Sequence, residues 1–406
     1  MPETPSSRVA TLRSPKTIRS QCTRVLELAK AGKAPHFMVD EARLSFVADM
    51  VANVTRAAYP TLNVPFHARW RHFGVGGVPR ERELDSELAF EDASEWARAK
   101  IDLAVVSVLL DAGAGPEWSF HEGGQTFARS EGLAVASFRM FMACAFAPDK
   151  TSFRINADGL EALTVEKLAC GFQVTAENPL VGLEGRVALL QALGRALRAR
   201  PDLFGPEGRP GFLFDICASA QAAGQNISAA DLLETVLEGF APIWPGRVEV
   251  DGENMGDVWP YAPLEGSGES LVPFHKLSQW LTYSLIEPIE ASGVKIADVG
   301  GLTGLPEYRN GGLFLDAGVI VPKASDALAK EYAPGDEFIV EWRALTVALL
   351  DAVAPLVCQR LGKTEAEFPL AKVLEGGTWA AGRKIAAEKR EGGGPPLRIV
   401  SDGTVF

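Results

Sequence analysis

The chain has little of what builds a metal or redox centre. Five cysteines and five histidines are spread over 406 residues. Cys22, Cys144, Cys170, Cys217 and Cys358 include no CxxC pair, and the histidines form no HxxxH or HExxH pattern. Neither a zinc site nor a disulfide framework is readable from such spacing, and no metal is expected. Most of the cysteines stand in apolar stretches such as Phe141-Met142-Ala143-Cys144, the pattern of buried thiols in a reducing compartment. No GxGxxG turn joins a strand to a helix, so the dinucleotide signature is missing and no cofactor is expected. Positive charge is short as well. Lys and Arg number 40 against 52 Asp and Glu, a formal net charge of -12. That balance argues against a nucleic-acid polymer as partner and leaves room for one basic pocket that takes a small phosphate.

Long apolar runs are also lacking. The stretches around Ile101–Leu110 and Leu345–Val357 carry charged neighbours and fall short of the ~20 residues that span a bilayer, so they read as core helices. Met1 to Arg13 has no apolar run and does not read as a secretory signal. The expectation is a soluble, cytoplasmic protein with no membrane partner. With 47% hydrophobic and 23% charged residues, a large core is within reach.

What is present is mostly helical periodicity. Ser14-Pro15 caps a helix whose apolar face is Ile18, Cys22, Val25, Leu26 and Ala29, with Gly32 ending it. Asp40 caps a second, striped by Leu44, Val47, Val51 and Val54. Further helices are predicted over about Ser94–Asp111, Thr126–Ala147, Glu161–Cys170, Val187–Ala199, Ser228–Phe240, Phe274–Ile286, Phe338–Leu361 and Glu365–Leu374. Strands are few: Arg247–Val250, Gly318–Val321 and Leu397–Val400. Pro60–Asp85 and Asp251–Val272 read as long loops. The fold class is therefore mainly α, in two packed helical lobes of one unit. Residues 1–150 form the first and residues 151–406 the second, dividing near Pro148–Thr151.

Four segments hold side chains capable of chemistry. In Leu302–Gly312, Glu307, Tyr308 and Arg309 stand between a proline and a Gly-Gly pair, which predicts a turn rather than a helix face. A surface ion pair between Glu307 and Arg309 accounts for the same residues. In Pro273–Tyr283, helical spacing puts His275, Gln279 and Thr282 on one side and Lys276, Trp280 and Tyr283 on the adjacent one. Lys276 is then either a snorkelling surface residue or a buried cation with an anionic partner. In Phe66–Gly77, Arg69, Arg71, His67 and His72 interleave with aromatics before a glycine turn, which suits one phosphate or carboxylate, or else a solvated basic loop. Glu341-Trp342-Arg343 opens an apolar helix and either ties it to a neighbour or orients Lys276. Trp118, after the Gly113-Ala114-Gly115-Pro116 break, offers an aromatic platform or a core contact.

Two resemblances bear on these alternatives. His67–Gly77, Leu302–Gly312 and the terminal Ser401-Asp402-Gly403-Thr404-Val405-Phe406 resemble the fourth component of the uracil-catabolism family, long carried as a domain of unknown function, over nearly the whole chain. That family is associated with uracil breakdown through a ribosylated, ring-opened urea intermediate. A fainter resemblance is to the queuosine salvage glycohydrolases, which have a helical, DNA-glycosylase-like fold and cleave a nucleotide's N-glycosidic bond. Leu109-Leu110-Asp111 with Glu117-Trp118-Ser119-Phe120, His275–Gln279, Glu307-Tyr308-Arg309 and Glu341-Trp342-Arg343 follow the order of that family's elements. Glu307 departs from the aspartate at its position, and the base-recognition residues do not carry over.

The resemblances imply an enzyme that hydrolyses ribosylurea, or its 5′-phosphate, without a cofactor. Its small substrate is derived from a nucleoside or nucleotide. Glu307 would stabilise the sugar cation, activate water or form a transient ester. Lys276 would bind phosphate or hold Glu307 ionised. Arg309, Arg69 and Arg71 would hold phosphate and sugar hydroxyls, Trp118 would wall the pocket, and His72 or His275 would protonate the departing nitrogen. Tyr308, Gln279, Glu341 and Arg343 complete the expected site. A ureido amidohydrolase and a non-catalytic carrier of a pathway intermediate are the rival readings.

Overall fold

The computed structural model describes residues 6–400 apart from Phe90, Lys150, Thr151, Gly246 and Ser267. The terminal Ser401–Phe406 motif lies outside the described residues, as do the last two residues of the Pro148–Thr151 division.

The fold is mainly α. Among the described residues every strand pairs in a two-stranded ladder, such as Phe37–Val39 antiparallel to Ile320–Pro322. The organising element is the Glu337–Leu361 helix, 25 residues long and buried along most of its length. Pro15–Lys30 and Leu44–Ala58 pack against it, as does Tyr308–Asp316. A second axis is Lys276–Ala291, which packs on Ala93–Leu109 and on Ala229–Phe240. One buried cluster runs from Ile18 to Leu397, drawing on helices from both sides of residue 150.

Local chemistry explains the element ends. Pro15 opens its helix, where a missing N–H costs nothing. Ser228 and Asp231 form a reciprocal capping box on Ala229–Phe240. Asp92 caps Ala93–Leu109 by accepting from the Glu95 N–H.

Several expectations are corrected. The Glu337–Leu361 helix is long and apolar enough to cross a membrane by length and composition, contrary to the shorter run read from the sequence, and 67% of its apolar window is buried inside the fold. The Thr126–Ala147 helix starts only at Arg129, because Gln125–Ala128 is a strand paired with Ser119–Glu122. Glu161–Cys170 is broken into Ala157–Glu161 and Val165–Gly171, with Thr164 capping the second. The Pro60–Asp85 loop contains Trp70–Phe73 and the start of an Arg80–Glu87 helix. The Glu365–Leu374 helix shrinks to Leu370–Val373, behind Pro369, and continues as a π-helical turn over Leu374–Thr378 into Trp379–Lys389.

The correction that matters most concerns Leu302–Gly312. It is a turn only as far as Glu307. Tyr308–Asp316 is a helix despite Gly311 and Gly312. The glycines are there for packing: a Cβ on Gly311 would run into the Trp342 ring.

Candidate active site

Glu307 is the N-cap of the Tyr308–Asp316 helix. Its carboxylate accepts the backbone N–H groups of Arg309 (2.7 Å) and Asn310 (2.5 Å). It is buried, and burial pushes its pKa up against the pull of those two hydrogen bonds, of Lys276 and of His67. A cap of this kind leaves each oxygen a lone pair for a ligand.

Lys276 begins the other helix. Its own backbone N–H donates to Asp257 (3.0 Å), and Arg343 grips the same carboxylate with two bonds of 2.7 and 2.8 Å. The Lys276 ammonium forms no hydrogen bond or ion pair among the described residues. Desolvation lowers its pKa, opposed first by the charge of Glu307 and then by Asp111. The charges of Glu307 and Asp111 thus act on a cation that forms no ion pair among the described residues.

Trp280, one turn on, is the aromatic floor. The His67 ring stacks on it (6.2 Å between centroids), His72 meets it edge-on (5.8 Å), and the Arg69 guanidinium lies 5.5 Å from its centre. Arg69 is fully buried and tied to Asp111 at 2.9 Å. Trp280 Nε1, His72 Nδ1 and one terminal nitrogen of Arg69 are buried without a hydrogen-bond partner among the described residues. Each such group left unsatisfied costs about 1–3 kcal/mol, so three around one indole mark a place that a polar ligand would complete. Burial and Arg69 push the His72 pKa down to about 4, so that ring is neutral near pH 7.

Beside this floor is a cavity of about 290 Å³, lined among others by His67, Arg71, His72, Glu131, Glu375 and Trp379. Arg71 is paired with Glu287, while Glu131 is held by Arg383 at 3.0 Å.

The structure therefore gathers Glu307, Lys276, Tyr308, Arg69, Arg71 and His72 into one region. The others are turned to structural work. The buried His275 sits at φ 46° and hydrogen-bonds the Leu12 carbonyl at 3.1 Å, so its ring is spent on the N-terminal segment. Trp118 is buried in the core and donates to the Phe172 carbonyl (3.0 Å); it is a core contact, not a pocket wall. Glu341 is buried and accepts from the Phe37 N–H (2.8 Å) and the Tyr261 hydroxyl (2.7 Å), which ties its helix to the Phe37–Val39 strand. Arg343 binds the Asp257 carboxylate that accepts the Lys276 backbone N–H. Gln279 accepts the Thr303 N–H (2.9 Å) and donates to the Thr303 hydroxyl, pinning the loop that leads to Glu307. Arg309 donates to the Gly393 carbonyl (2.8 Å) with its guanidinium over the Tyr308 ring.

Sequence reasoning left Asp111, Asp257, Trp280, Glu375 and Trp379 out of the site. Asp111 follows an apolar helix and reads as its end. Glu375 and Trp379 straddle a Gly-Gly pair that reads as a helix stop.

Residues 11–406 match a family described as "Protein of unknown function (DUF1688)". The chain belongs to that family. It is 41% identical to Protein urg3 of Schizosaccharomyces pombe over 408 residues, covering 98% of this chain and 99% of that one. It is 40% identical to Uracil catabolism protein 4 of Lachancea kluyveri over 436 residues, again 98% and 99%. The resemblance drawn from His67–Gly77 and Leu302–Gly312 therefore extends along essentially the full length of this DUF1688 chain.

Proposed function

We propose that this protein acts in uracil breakdown as a hydrolase of an N-glycosidic bond, on ribosylurea, its 5′-phosphate or a related uridine nucleotide. The pathway rests on the 40% identity to Uracil catabolism protein 4 of Lachancea kluyveri. The chemistry rests on one observation: the buried Glu307 carboxylate, fixed by two backbone N–H groups, faces the field of Lys276.

Cleaving a C–N bond at a sugar builds positive charge on the ring. A preorganised carboxylate stabilises that charge far better in a dry site than in water. Glu307 is held by its own helix N-terminus, and those two N–H groups, with Lys276, oppose the burial that raises its pKa. The Lys276 ammonium, with no ion-pair partner among the described residues, is the group for a substrate phosphate or sugar oxygen. Trp280 supplies an apolar wall, and the unpaired nitrogens of His72, Arg69 and Trp280 supply donors or acceptors for a polar substrate.

The test is a panel of ribosylurea, its 5′-phosphate, uridine and uridine monophosphate with purified protein, assayed for free urea or uracil. Release from one of the four supports the reading. Tight binding without release from any of them replaces it with a carrier of a pathway intermediate.

A further inference from the structure

Urea and uracil nitrogens are poor leaving groups unless protonated, so the reaction proposed above needs an acid. Neither histidine expected in that role serves it well. His275 is hydrogen-bonded to Leu12, and His72 is held neutral by burial beside Arg69.

His67 is differently placed. Its backbone N–H is anchored on the Ala371 carbonyl (3.0 Å), and its ring stacks on Trp280 at an interplanar angle of 26°. Nδ1 sits 2.9 Å from a Glu375 carboxylate oxygen, and the other oxygen of Glu375 accepts the Tyr59 hydroxyl at 3.1 Å. Both oxygens of Glu375 are thereby engaged, and the carboxylate is held ionised by these bonds in spite of its burial. A carboxylate only accepts, so Nδ1 carries the proton and the tautomer is fixed. Nε2 is left as the working atom. It has no partner among the described residues, and the residue lines the 290 Å³ cavity.

The backbone at Glu375 is also unusual. The residue lies in the five-residue π-helical turn Leu374–Thr378, which packs on the Leu44–Ala58 helix. A Cβ at Gly377 would stand 2.6 Å from the Val51 carbonyl oxygen. Single π turns inside α-helices recur at functional sites, since they re-aim a side chain at the cost of regular hydrogen bonding. Here the turn aims Glu375 at His67.

We propose that His67, oriented by Glu375, is the proton donor of the reaction, and that the cavity it lines receives the departing urea or pyrimidine. This rests on the glycosidase reading. As the C1′–N bond breaks, its electron pair goes to the nitrogen, which takes the proton from imidazolium Nε2. Water then adds to C1′ opposite the stabilising Glu307 carboxylate, and its proton returns to Nε2. The products are the free sugar and the neutral urea or pyrimidine, whose nitrogen now carries the proton, with only water consumed. Arg71 and Glu131 on the cavity wall offer one donor and one acceptor, which matches a leaving group carrying both carbonyl and N–H.

The experiment compares two leaving groups on full-length protein: the N-riboside that the wild type cleaves, and the p-nitrophenyl riboside of the same phosphorylation state, whose phenolate departs without protonation. His67→Gln is expected to slow the N-riboside by ~100-fold or more, as loss of a general acid does, and to leave the nitrophenyl substrate within ~10-fold. Glu375→Gln, a positioning change, should shift the acid-dependent limb of the N-riboside pH profile and spare the nitrophenyl substrate. Retained nitrophenyl turnover also reports that the variants fold. Equal slowing of both substrates by His67→Gln, or of neither, overturns the assignment while the glycosidase reading stands. A wild type that cleaves neither removes both.

Discussion

The Asp257 carboxylate joins Arg343 to the first backbone N–H of the Lys276 helix: two bonds of 2.7 and 2.8 Å on one side, one of 3.0 Å on the other. This places Lys276 without touching its ammonium. The Arg343 side chain is fully buried and lies 4.1 Å from the Phe274 ring centre. The arrangement holds the pKa of Asp257 well below the usual carboxylate range.

Asp257→Ala therefore removes the two-bond carboxylate partner of the buried Arg343 guanidinium, which costs about 3–5 kcal/mol. The denaturant midpoint should fall accordingly with an unchanged slope. An unaltered midpoint would show that the pair contributes little to the fold.

Activity should follow a bell-shaped pH profile. Burial raises the Glu307 pKa, so the acid limb of kcat/KM should lie above the ordinary glutamate range as the carboxylate is neutralised. Desolvation lowers the Lys276 pKa, so the alkaline limb should lie below that of a free lysine. With the nitrophenyl riboside, whose departure needs no acid, the alkaline limb should vanish in Lys276→Met, and its persistence there would assign that limb to another group.

Gln279 bears on the site through the loop. Gln279→Leu strands the buried Thr303 N–H, at a cost of about 1–3 kcal/mol. Because that loop delivers Glu307, kcat should drop with little change in KM, read from steady-state kinetics of the purified variant.

His275 gives a stability signature. Its pKa in the fold is pushed down to about 4 by burial. An unfolded histidine titrates near ~6.5, so acid protonates the unfolded chain first. Stability from this group is complete above that value, is lost as pH falls toward 4, and then levels off; the loss is about 3 kcal/mol at most. His275→Asn, which tolerates the left-handed backbone, should flatten this part of the stability–pH curve. An unchanged curve would mean that other groups carry the acid response.

Helices were legible where periodicity and caps agree, as at Ser14-Pro15 and at Ser228 with Asp231. Legibility failed where glycine serves packing. Gly311 and Gly312 read as a stop although the helix runs through them under Trp342, and Gly376-Gly377 hid the π turn that presents Glu375. By residue type alone Glu307 fits a surface ion pair and Lys276 a snorkelling side chain equally well; the resemblance to the glycohydrolases is what singles them out. Asp111, whose charge acts on Lys276, and Asp257, which binds the Lys276 backbone N–H, lie 196 and 50 positions from Glu307 and are brought to the site only by folding. His275 and Trp118 misled because a buried polar side chain in the core has the same sequence pattern as one in a pocket.

The central claim is that Glu307 supplies the charge that drives bond cleavage, and turnover by Glu307→Gln beside the wild type tests it most directly. With ribosylurea or its 5′-phosphate, whichever the wild type cleaves, the variant should release urea slower by on the order of 1,000-fold. Its substrate affinity should stay within ~10-fold, because the amide oxygen still accepts one of the two N–H groups and Lys276 is untouched. A Glu307→Gln protein that turns over at the wild-type rate would contradict the account.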